Sequence, residues 1–168
     1  ELGKPTLPSP ITSGYFMPDT KRVLYDPYLH HGITAPDEPS SLEIAGPRKK
    51  IFFNPSQTRA AIVTCGGLSP GINDVIRSVV MALYYRYGVK DIAGIRYGFQ
   101  GLVPAYGHEI MNLTPDLVKD IHTLGGSILS SSRGNQDIAT MVDTLCDMGV
   151  TILFCVGGDG TMRAAKKV

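Results

Sequence analysis

A carboxylate set among glycines, in Gly157-Gly158-Asp159-Gly160-Thr161, is the most specific chemical feature of this 168-residue sequence. It follows at once on Val150 to Val156, the most apolar and β-branched run of the chain, which reads as a central strand. At a strand tip, with no neighbouring side chain to shield it, Asp159 is placed to hold magnesium while the next helix start faces phosphate groups. An N-cap or turn role is the plainer alternative for Asp159. A second loop, Gly66-Gly67-Leu68-Ser69-Pro70-Gly71, lets the backbone approach a ligand closely and points a helix N-terminus at it. Phosphate suits such a loop, although a tight structural turn uses the same glycines. The lysine and hydroxyl of a Walker A loop are missing after Gly71 and no GxGxxG occurs, so neither a P-loop nor a dinucleotide fingerprint is present. A third loop, Ser130-Ser131-Ser132-Arg133-Gly134, offers hydroxyls and a guanidinium that can clamp a phosphate; a surface salt bridge accounts for Arg133 equally well.

The elements that position these loops alternate from Ala60 onward between short strands and amphipathic helices, the pattern of a parallel α/β sheet. Ala60 to Cys65 reads as the first buried strand. The helix after it carries Ile72, Val75, Ile76, Val79, Val80 and Leu83 on one face and closes near Gly88. Asp91 to Arg96 is the second strand. Thr114 caps a helix that has Pro115 at its first position, buries Leu117, Val118, Ile121 and Leu124, and ends at Gly125-Gly126. Ser127 to Ser130 reads as a short strand. A further helix starts near Asp137, buries Ile138, Met141, Val142 and Leu145, and ends at Gly149. Another begins after Asp159, and the sequence stops partway into it, which suggests a fragment.

Nine of the twelve prolines fall at or before Pro55, in a segment with no sustained period of two or 3.6. Residues 1–55 therefore read as a proline-rich arm, with Tyr15, Phe16, Tyr25 and Tyr28 packing it onto something, and 56–168 as a domain. His30-His31 has no cysteine or carboxylate cluster at ligand spacing and reads as loop. The 16 basic and 15 acidic residues nearly cancel, which gives a nucleic-acid or anionic-membrane partner little electrostatic support. The one basic run, Arg48-Lys49-Lys50, reads as a solvated turn. No apolar stretch is long enough to span a bilayer and the first residues lack the apolar core of a secretion signal, so an intracellular, soluble protein is expected. Cys65, Cys146 and Cys155 are odd in number and form no CxxC pair, so buried or partly buried reduced thiols are expected.

Taken in order, Gly66 to Arg77, Tyr97-Gly98-Phe99-Gln100-Gly101-Leu102, Gly125-Gly126 and Gly157 to Thr161 resemble the phosphofructokinase family from about Ala60 to the end. The arm, its junction Ala45-Gly46-Pro47-Arg48-Lys49-Lys50, and Leu68 where common bacterial members have Asp are similar to the plant and trypanosomatid branch. The resemblance implies a Rossmann-like sheet with helices on both faces. It also implies an ATP-dependent 6-phosphofructokinase of glycolysis, an allosteric, cytoplasmic homo-oligomer (an organelle staying open) acting on ATP and fructose 6-phosphate with Mg2+. Gly66, Arg133, Gly134, Gly158, Asp159, Gly160 and Thr161 would then meet the nucleotide, with Asp159 as metal ligand. Phe99 would stand where family members stack an aromatic ring near adenine. Gly160 implies ATP rather than pyrophosphate as donor, since pyrophosphate-using relatives carry aspartate there.

The catalytic base and the sugar-phosphate half are expected beyond Val168, so this fragment alone is expected to be inactive. Two other readings stay open: another GGDGT-loop kinase, of the NAD or diacylglycerol type, and a truncated nucleotide-binding protein that does no chemistry.

Overall fold

The computed structural model describes residues 3–12, 14–26, 28 and 40–168; the His30-His31 loop reading lies outside them. The chain divides into two compact units, 1–53 and 54–168. In the first, prolines and glycines leave room only for short ladders. The strand Leu7–Pro8 (β1) and the later strands Arg22–Leu24 (β2), Ser41–Glu43 (β3) and Lys50–Ile51 (β4) form two antiparallel pairs, β1 with β4 and β2 with β3. Arg48 is no solvated turn residue. It is half-buried, and its guanidinium donates to the carbonyls of Met17, Pro18 and Ile44 at 3.0, 2.8 and 2.6 Å, tying the Met17-Pro18 stretch to the end of β3. Of the four aromatics named above, Tyr15, Tyr25 and Tyr28 are exposed and Phe16 is half-buried.

The second unit is built on a four-stranded sheet. Arg59–Thr64 (β5) lies between Asp91–Ile95 (β6) and Ile152–Val156 (β8), parallel to both, and Met111–Asn112 (β7) runs antiparallel on the outer edge of β6. Because successive strand residues point to opposite faces, β5 supplies Ala60 and Ile62 to one core and Ala61 and Val63 to the other. Ile72–Met81 (α1) and Pro115–Val118 (α2) cover the first face through Ile76, Val80 and Val118. Ile138–Asp147 (α3) covers the second through Met141 and Leu145, joined by Phe99 and Leu102 of the 3-10 helix Gly98–Leu102. The expected α/β sheet with helices on both faces is therefore present. Among the described residues no helix is long and apolar enough to cross a membrane.

Several local expectations change. The first helix continues from α1 through a π-helical turn, Ala82–Tyr87, before Gly88 closes it in a left-handed conformation, and Val75 is exposed rather than on the buried face. The helix capped by Thr114 lasts one turn. Thr123 then takes the Asp120 carbonyl with both its N–H and its hydroxyl, tightening the chain into a 3-10 turn and leaving Leu117 and Leu124 exposed. Ser127 to Ser130 is a turn, not a strand, because β7 already occupies the outer edge of β6. Within these residues strand β8 pairs with β5, and all five of its residues are half-buried. Cys65 is buried and Cys155 half-buried as expected, but Cys146 is exposed.

Candidate functional site

Parallel strands β5, β6 and β8 deliver their carboxyl ends to one side of the sheet, where ligands of open α/β folds bind. Three loops meet there, and hydrogen bonds stitch them together. The Ser131 hydroxyl donates to the Gly66 carbonyl at 2.6 Å. The Gly66 N–H donates to the Ser132 carbonyl at 3.2 Å, and the Cys65 N–H to that of Val156 at 2.9 Å. Gly157 packs so closely that a β-carbon on it would stand 2.8 Å from the Cys65 carbonyl, so this position accepts no side chain.

These loops border a cleft of about 610 Å³ lined by Gly66, Arg133, Gly134, Gly158, Gly160 and Thr161, with Phe99 also on its wall. Seven of the eight residues singled out in the sequence thus converge. The eighth, Asp159, is exposed beside the cleft between two lining residues. It is the first residue of the helix Asp159–Ala165 (α4), where its negative charge suits the helix dipole, but the N-cap is Gly158 and no side-chain cap bond forms. Its carboxylate makes no hydrogen bond or ion pair among the described residues. Arg133 is likewise exposed and has no ion pair among the described residues, so the salt-bridge account of it finds no partner. Phe99 is only 7% exposed and belongs to the core beneath the cleft, so little of its ring is available to a ligand. Thr161 is also buried.

Glycine at two of these positions has different causes. Gly66 has a φ of +82°, a left-handed conformation that favours glycine. Gly160 lies inside α4 with no positive φ, and a β-carbon on it would meet nothing within 4 Å. Neither backbone geometry nor packing requires glycine there.

The cleft floor is apolar enough to shift a thiol. Burial pushes the Cys65 thiol up from 9.0 to about 11, partly offset by the Phe99 N–H that hydrogen-bonds its sulfur and reinforced by Cys155 beside it. Burial raises Cys155 as well. Between the lining residues Gln136 and Ile138, the exposed Asp137 caps α3 and is held below the ordinary carboxylate range by the Thr140 hydroxyl and N–H, the latter at 2.8 Å.

Other contributors carry weaker sequence signals. Arg163 lines the cleft from α4 and Lys167 from the turn that follows the helix; two basic residues four apart in the sequence were the signal available. Asn73, 2% exposed, donates to the Leu124 carbonyl at 3.0 Å and accepts from the Ile128 N–H at 2.9 Å, fixing the Gly125-Gly126 turn. Thr64, 1% exposed, does the same for the serine loop. Thr64 lies in the strand expected to be buried, whereas no local pattern announces the burial of Asn73.

A single unpartnered carboxylate is a poor cage for a bare metal, and the described residues contain no group of three or more His, Cys, Asp or Glu that could hold one. Magnesium, however, keeps several waters and is commonly held by one or two carboxylates plus substrate phosphates. Asp159, free and next to a cleft edged with glycine N–H groups, fits that mode.

Two parallel strands ending in glycine loops, with a guanidinium loop between them, define an α/β unit whose candidate site lies at its strand tips. Residues 59–168 match the sequence profile of the family described as phosphofructokinase, and the chain belongs to that family. It is 51% identical over 139 residues to an ATP-dependent 6-phosphofructokinase of Entamoeba histolytica, covering 83% of this chain and 31% of that protein. To a protein of the same name from Trypanosoma cruzi it is 45% identical over 157 residues, covering 91% of this chain and 32% of that one. Among solved structures, Pichia pastoris phosphofructokinase in the T-state aligns with a TM-score of 0.58 at 26% identity, over 78% of this chain and 14% of that chain. The chain spans about a third of the length of the curated relatives it matches.

Proposed function

We propose that this chain is the nucleotide-binding part of an ATP-dependent 6-phosphofructokinase. The γ-phosphorus of ATP forms a bond to the C1 oxygen of fructose 6-phosphate and its bond to the β–γ bridging oxygen breaks. The C1 hydroxyl loses its proton, and fructose 1,6-bisphosphate and ADP result. The observation that carries this reading is the cleft in which Gly66, Arg133, Gly134, Gly158 and Gly160 converge at the tips of β5 and β8, in a chain of the phosphofructokinase family.

Positioning and charge neutralisation supply most of the catalysis in phosphoryl transfer. The Arg133 guanidinium would clamp phosphate oxygens, and the N–H groups at the start of α4 would face them. Asp159 would hold a magnesium ion, which when bound neutralises charge on the transferring phosphoryl group. Gly160 leaves open space where the α-phosphate of ATP would otherwise meet a carboxylate. The cytoplasm is the proposed compartment: all three cysteines are free, as a reducing environment favours.

An acceptor screen tests the assignment. The full-length protein, given MgATP and, in separate reactions, fructose 6-phosphate, NAD and diacylglycerol, should phosphorylate fructose 6-phosphate alone. Turnover of either other acceptor in place of the sugar phosphate would move the chain to another kinase class, and ATP binding without any turnover would leave a nucleotide-binding protein.

A further inference from the structure

Thr64 is the last residue of β5 and points a hydroxyl into the space under the serine loop. That hydroxyl carries one proton. Its Oγ1 lies 2.7 Å from the Ser130 carbonyl oxygen, which can only accept, so the proton is committed there. The Ser127 hydroxyl, 2.9 Å away, must then be the donor to Thr64 Oγ1. Ser127 Oγ in turn accepts from the Leu129 N–H at 3.2 Å, which completes its needs. The chain of bonds is directional and part-buried, with the buried Thr64 at its centre.

What this chain of bonds holds is a backbone that would otherwise relax. Ser130 has a φ of +57°, in the left-handed region that a non-glycine residue adopts only at a cost of about 1 kcal/mol. Its carbonyl orientation, fixed by Thr64, sets the direction in which Ser131, Ser132 and Arg133 leave the turn. The loop is then anchored at its far end by the two bonds between Gly66 and the Ser131–Ser132 pair. Leu129, fully buried, plugs the turn into the core against Gly94, where no side chain would fit beside it. Arg133 has no side-chain partner of its own among the described residues, so its position depends on the backbone that carries it.

We propose that Thr64 is a positioning residue for phosphoryl transfer, acting through the Ser127 to Ser130 turn to aim Arg133 at the nucleotide. This rests on the reading of Arg133 as a phosphate ligand. The consequence is specific: loss of the Thr64 hydroxyl should matter only as long as Arg133 is there to be aimed.

The experiment is a double-mutant cycle in the full-length protein, reading kcat/KM for MgATP with fructose 6-phosphate saturating. Thr64→Val keeps the shape and removes the hydroxyl; it should lower kcat/KM by roughly tenfold to a hundredfold, the effect of a small misplacement of a catalytic contact. Thr64→Ser restores the hydroxyl and should restore the rate. In an Arg133→Ala background, Thr64→Val should cause no further loss. Equal losses from Thr64→Val in both backgrounds, or no loss with Arg133 present, would overturn the proposal while leaving the site itself intact. No effect of Arg133→Ala alone would instead sink the functional reading on which it stands. Where Thr64→Val fails to fold, Ser127→Ala, which removes the hydroxyl that donates to Thr64, takes its place in the cycle: a loss confined to the Arg133 background supports the proposal, and equal losses in both backgrounds overturn it.

Discussion

Asn73 Oδ1 accepts the Ile128 N–H at 2.9 Å, and the same side chain donates to the Leu124 carbonyl at 3.0 Å, so one amide on α1 closes both sides of the Gly125-Gly126 turn. A buried amide with both its oxygen and its nitrogen engaged is hard to replace, because any shorter side chain leaves two backbone groups without partners. Asn73→Ala should therefore destabilise the protein by about 2 kcal/mol or more. Chemical denaturation measures this directly; a change smaller than the scatter would show that the turn is held by something else. Asn73→Asp keeps the acceptor for Ile128 but sets a buried carboxylate oxygen against the Leu124 carbonyl, so at neutral pH it should destabilise at least as much as Asn73→Ala.

Asp159 separates chemistry from folding. It is exposed at the first position of α4 and caps nothing. In Asp159→Asn, full-length turnover should drop severely and its magnesium dependence should weaken, while the melting temperature stays nearly unchanged. Normal turnover in this variant would remove Asp159 from the site, and a large fall in melting temperature would make its role structural.

Gly160 allows a cleaner substitution than glycines usually do, since the helical backbone and the open space around it accept a side chain without strain. Gly160→Asp should fold as well as the parent and lose turnover with ATP, because the added carboxylate repels and crowds the α-phosphate. Assays with ATP and with pyrophosphate, run side by side, check it. Unimpaired ATP use by the variant, or efficient pyrophosphate use by the parent, would contradict the assignment.

Thiol chemistry follows from burial. At pH 8 the Cys65 thiol, pushed up to about 11, stays protonated and shielded, whereas Cys146 is exposed. Alkylation followed by mass spectrometry should label Cys146 first and Cys65 last. The same shift has a stability sign. The unfolded thiol ionises near its ordinary 9.0 and the folded one near 11, so the stability linked to Cys65 is complete below pH 9 and lost as the pH rises toward 11. Cys65→Ala should flatten that alkaline limb; an unchanged limb would assign it to other groups.

The loops that carry the site were legible because their chemistry is local. Gly66, Gly158 and Gly160 announce themselves by composition, and the apolar runs before them set their strand tips. The doubly covered sheet was legible too, since β5 feeds both cores by simple alternation. What escaped depends on partners distant in sequence. Nothing near Ser127 says that β7 already holds the edge of β6, so a β-like tetrapeptide became a turn. Thr64 and Asn73 read as an ordinary strand end and an ordinary helix residue; only the distant stretch of chain folded back over them turns them into anchors. Arg48 is the same lesson in the first unit, a member of a basic run that three carbonyls captured.

Whether this cleft serves transfer of a phosphoryl group from MgATP to fructose 6-phosphate is measured most directly by formation of fructose 1,6-bisphosphate by the purified full-length protein. Product should require ATP, disappear when magnesium is chelated, and fall sharply in Arg133→Ala. Product formation that is indifferent to magnesium and to Arg133, or no product at all from a folded, ATP-binding protein, would contradict that role for the cleft.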